Sequence, residues 1–83
     1  MKIETKYEIG QHIWVVYENK GEISLYDDYI GWITFEDELQ YGTKVSLETL
    51  SEEQIILYND TETLIYRIKE NMRKIREREN NAS

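Results

Sequence analysis

The chain has 83 residues, no cysteine, no proline and a formal net charge of −7, which bounds it to one small domain without disulfide or thiolate–metal support. Residues 1–62 hold fourteen acidic and four basic side chains, a balance of −10, whereas residues 63–83 hold six basic and three acidic, a balance of +3. The carboxylate excess opposes phosphate neutralisation, so direct nucleic-acid binding is not expected, and no apolar run approaches the ~18–20 residues of a membrane span.

Met1-Lys2-Ile3-Glu4-Thr5-Lys6 lacks the apolar stretch of a signal peptide, so a cytoplasmic protein is expected. Residues 12–58 then alternate short apolar runs with turn signals, the pattern of strands. A first strand is predicted over 12–17. Glu18-Asn19-Lys20-Gly21 turns the chain, with Gly21 suited to the positive-φ position of a bulged hairpin. A second strand is predicted over about 22–26, a tight turn at Asp27-Asp28, and a third strand over 29–35. Glu36-Asp37-Glu38 reads as an acidic turn, and 39–47 as a fourth strand bulged at Gly42. Ser51-Glu52-Glu53 suggests a single helical turn before a short fifth strand over 55–58.

A helix follows over about 60–79. Asn59 reads as its N-cap, and Glu62 completes a capping box. Ile65, Ile68, Met72 and Ile75 recur at 3-4-3 spacing, an apolar stripe with Leu64 at its edge. Residues 80–83 are expected to fray. In the first strand Ile13, Val15 and Tyr17 oppose Trp14 and Val16; in the third, Ile30 and Trp32 oppose Ile33 and Phe35. Apolar residues on both faces call for cover on both. The expectation is a single α+β domain over 1–79: a small, strongly bent antiparallel sheet of about five strands, an SH3-like barrel, followed by one C-terminal amphipathic helix.

At about 100° per residue, Arg67, Lys74 and Arg78 border the stripe on one side and Lys69, Arg73 and Arg76 on the other. Docked on the acidic body, both rows meet carboxylates at the rim. The 65/68/72/75 spacing is also a heptad a/d pattern, so a homodimer stays open. Arg67, Arg73 and Arg76 form an alternative anion site, in which a signalling nucleotide stacks on Trp or Tyr.

Catalytic patterns are missing. His12 is the only histidine, Ser24, Ser46 and Ser51 lack a nucleophile's context, and the four glycines are isolated. Asp27-Asp28 and Glu36-Asp37-Glu38 lack the alternating ligands and central glycine of a calcium loop. No catalytic residue, metal or cofactor is expected, and the chain does not read as an enzyme. Seven Tyr, two Trp and one Phe exceed what so small a core can hold. Asp27, Asp28, Tyr29, Trp32, Glu36 and Asp37 therefore form the candidate partner-binding face, suited to a protein with a basic surface.

The stretch Tyr7-Glu8-Ile9-Gly10-Gln11-His12-Ile13-Trp14-Val15-Val16 resembles the opening of small SH3-like phage and mobile-element proteins of Gram-positive bacteria. Leu50-Ser51-Glu52-Glu53-Gln54-Ile55-Ile56-Leu57-Tyr58, followed by Thr61-Glu62-x-Leu64, is similar to their strand-then-helix close. Together these segments cover about a third of the chain. The resemblance implies a non-enzymatic phage or prophage protein in the host cytoplasm, one that occludes a host protein. Inhibition of a bacterial defence component, as by anti-CRISPR proteins, is the role it implies. It carries over no functional residues.

Overall fold

Lys20 and Gly21 both adopt positive φ, 53° and 85°, and this two-residue loop sets the register of the sheet. In the computed structural model, which describes residues 4–81, Asn19 pairs with Glu22 across that loop. The turn is thus tight, without the expected bulge. The elements are β1 (His12–Asn19), β2 (Glu22–Phe35), β3 (Leu39–Thr43), β4 (Thr49–Leu50), a 3-10 turn (Glu52–Gln54), β5 (Ile55–Leu57) and α1 (Thr61–Asn81). They form an α+β fold, a five-stranded antiparallel sheet in the order β4-β3-β2-β1-β5 followed by the helix.

The turn expected at Asp27-Asp28 is absent. β2 runs unbroken through both residues, which pair with Trp14 and Ile13. Each carboxylate finds a partner that local sequence does not show. Asp27 Oδ2 lies 2.8 Å from His12 Nε2, and Asp28 accepts backbone N–H groups from Tyr29, Val45 and Ser46 at 2.7, 3.0 and 2.9 Å. Those last bonds also explain why β3 stops at Thr43 and does not reach residue 47: Asp28 draws Val45 and Ser46 into a turn, closed by Leu47 at φ 57°. The bulge lies in β2 between Ile30 and Trp32, not at Gly42. Gly42 instead carries the Trp32 indole against its backbone, where a Cβ would sit 1.8 Å from the ring.

Both sheet faces carry a core, as the apolar alternation implied. Tyr7, Ile13, Val15, Ile30, Tyr41, Leu50 and Ile55 fill the inner face. Val16, Ile56 and Leu64, with Trp14, Ile23 and Ile68, fill part of the outer face under α1. The strongly bent barrel is not formed: β4 pairs only with β3 and β5 only with β1, so the sheet has two edges and is neither closed nor strongly curled. The N-terminal segment provides the inner cover. The Tyr7 hydroxyl donates to the Ile55 carbonyl at 2.8 Å, and its ring stands edge-on to Tyr41.

α1 is capped by Asp60, whose Oδ1 accepts the Thr63 N–H at 3.2 Å, and not by Asn59. It extends to Asn81, through the first two residues of the expected frayed tail; residues 82–83 lie outside the described residues. The docked stripe is also rotated from the expected one. Leu64 is buried and Ile68 and Ile75 half-buried, whereas Ile65 and Met72 face outward.

Candidate protein-binding face

Strand alternation determines what the outer face presents. Residues 12, 14 and 16 of β1 lie on that face, opposite 29, 27 and 25 of β2. The helix covers the end near Val16, Ile23 and Ile56. The end near His12, Asp27 and Tyr29 is left open. Past Tyr29, Ile30 turns into the inner core, and the bulge at Gly31 adds one residue. Trp32 therefore emerges on the same face as Tyr29, opposite the inward-facing pair Ile33 and Tyr41.

Four rings stack across this open half. Tyr29 lies on His12 with ring centroids 4.5 Å apart, His12 on Tyr58 at 3.7 Å, and Tyr58 on Trp14 at 4.9 Å, all within 18° of parallel. Hydrogen bonds lock the ladder to the backbone. The Trp14 Nε1–H donates to the Tyr58 carbonyl at 3.0 Å, and the Tyr58 N–H donates to the His12 carbonyl at 3.1 Å. Tyr29 and Tyr58 remain 40% and 37% exposed, so the ladder is both fixed and accessible. Asp27 stands at its edge, exposed and paired with His12.

The candidate residues drawn from the sequence fall into three places. Asp27, Tyr29 and Trp32 share the open outer face. Asp28 does not belong to any binding face, because it points to the other side and is 1% exposed. Burial pushes its carboxyl pKa up, but the N–H groups of Val45, Ser46 and Tyr29 outweigh this and hold it below the usual value. Glu36 and Asp37 occupy the exposed turn after β2, where with Glu38 and Gln40 they line a hollow of about 220 Å³. A neighbouring hollow of about 530 Å³ is lined by Phe35, Glu38, Leu39, Ser51, Glu52 and Glu53. Nine residues of extended chain, roughly 30 Å, separate Glu36 from Asp27.

The alternative anion site is not assembled. Arg67 and Arg76 are nine residues apart, about 180° around the helix. Arg67 lines a hollow with Glu18, Glu53, Glu70 and Lys74, and Arg76 sits on the opposite flank beside Met72 and Glu79. Arg73 is held by Glu70 and by Glu77, which push its pKa further up. Among the described residues one ion pair joins helix to sheet, Arg78 to Glu18 at 2.6 Å. The Gly21 N–H and then Arg78 lower the Glu18 pKa against the desolvation that raises it.

No group of three or more metal-ligating side chains gathers among the described residues, and none of their helices is long and apolar enough to cross a membrane. His12, Trp14 and Tyr58 complete the ladder with Tyr29 and were not among the residues selected from sequence. No family model, curated protein or solved structure matches the chain.

Proposed function

We propose that this chain is a non-enzymatic binding protein of phage or prophage origin that occludes a host protein bearing a basic surface, in the manner of an inhibitor of bacterial defence. The observation that carries the reading is the stacked ladder Tyr29–His12–Tyr58–Trp14 on the half of the outer face that α1 leaves open. Tyr and Trp dominate binding hot spots, and rings already immobilised by stacking lose little entropy on association. Asp27 beside them and the net charge of −7 favour encounter with a cationic partner. The imidazole of His12 is stacked between two tyrosine rings and its Nε2 faces Asp27, which fixes the ring's orientation on this face.

The test is capture of host protein on the immobilised full chain, from lysate of a Gram-positive bacterium. Tyr29→Ala and Asp27→Lys are each expected to weaken retention of the captured protein, Tyr29→Ala by about 2 kcal/mol. Equal retention by wild type and both variants would refute this placement of the site.

A further inference from the structure

Among the described residues of α1 only Leu64 is buried, while Ile65, Tyr66 and Met72 are 52%, 66% and 47% exposed. The 21-residue helix is about 31 Å long. Its C-terminal half rests on the Arg78–Glu18 pair and stands over an open groove of about 380 Å³ lined by Gly21, Ile23 and Ile75, with the half-exposed Met72 at its rim. Most of a helix's stability comes from burying an apolar face, and this one is half used. The overall shape agrees. The radius of gyration is 14.2 Å, against roughly 12 Å for a compact chain of this length. The exposed area is 6228 Å², against roughly 5,200 Å² for a compact 10.0 kDa protein. That surplus, about 1,000 Å², belongs to the molecule as a whole, and the uncovered flank of α1 is part of it.

The charge order on the helix says which occupant fits. Ile65 and Met72 are seven residues apart, and Glu62, Lys69 and Arg76 follow the same interval along the solvent side of that stripe. None of these three has an ion pair among the described residues. Set a second helix antiparallel so that Ile65 faces Met72 of the other copy. The register then brings Glu62 within one residue of Arg76 of the second copy, an offset of about 1.5 Å that the long side chains span, twice by symmetry, and leaves only Lys69 near its own copy at the wet rim. A parallel pairing would set these three residues on opposite sides of the seam in the two copies, and so would form no Glu62–Arg76 pair.

We infer that the outer flank of α1 is an interface for a second copy of this chain, packed antiparallel through Ile65 and Met72 with reciprocal Glu62–Arg76 pairs. The aromatic ladder lies on the open part of the sheet face, and this inference does not depend on its role.

Sedimentation of the full chain over a concentration series tests it. Wild type is expected to form a dimer. Ile65→Glu and Met72→Glu, both at exposed positions, are expected to raise the dimer dissociation constant at least ~10-fold while far-UV circular dichroism of the monomer stays unchanged. Arg76→Glu alone should weaken the dimer, and Arg76→Glu with Glu62→Arg should restore it. A wild type that stays monomeric at the highest concentration overturns the inference. So does a dimer indifferent to Ile65→Glu and Met72→Glu, or a charge exchange no tighter than Arg76→Glu alone.

Discussion

Asp28 shows how one side chain can shape a length of chain. Its buried carboxylate gathers three backbone N–H groups, two of them from the turn after β3, and so fixes where β3 ends. Asp28→Asn removes the charge that those donors solvate and turns part of an acceptor into a donor. A loss of about 1–3 kcal/mol in chemical denaturation is expected. The pH dependence has a defined sign. The folded-state pKa lies below the ordinary value, so the stabilisation is complete above that ordinary value, near 3.8, and is lost as pH falls through the lower folded one. Denaturation across the acid range should show Asp28→Asn with a flatter acid limb than wild type. Parallel limbs would mean that Asp28 is not a source of the acid sensitivity.

At the scale of elements, patterns with a short period were legible and choices made by distant partners were not. β1, the 3-10 turn and α1 follow from apolar spacing and local caps. Asp27-Asp28 reads as a turn because acidic pairs favour turns locally, yet His12 and residues 45–46 satisfy both carboxylates inside a continuous strand. The ladder was within reach of the sequence. A two-residue loop at Lys20-Gly21 makes paired positions sum to 41, which sets His12 against Tyr29 and Trp14 against Asp27. Reading Gly21 as part of a bulged hairpin hid that register. The bulge that returns Trp32 to the outer face left no comparable sign, since Gly31 and Gly42 are equally isolated in sequence. Which side of α1 docks depended on the sheet's offer of Val16, Ile23 and Ile56. The cap fixes where that helix begins: Asp60→Ala is expected to cost about 1 kcal/mol, whereas Asn59→Ala should cost far less, as read from paired thermal melts.

For the whole molecule, the opposition between an acidic body and a basic helix is partly resolved by ion pairs within the helix and by one to the sheet. Arg73 is taken up by Glu70 and Glu77, and Arg78 by Glu18. Arg67 and Arg76 lie on opposite sides of the helix and Arg73 is held by Glu70 and Glu77, so these three form no shared anion site. The sheet retains an aromatic face edged by Asp27, with a carboxylate-lined end around Glu36, Asp37 and Glu38. The central claim is that this face, and not the basic helix, meets the partner. Amide hydrogen exchange on the full chain, free and bound to the host protein it captures, tests that most directly. The account predicts slowed exchange on binding around residues 12–14, 27–32 and 58, with the outer amides of 67–78 unchanged. Protection confined to 67–78, with the aromatic face exchanging as in the free protein, would contradict it.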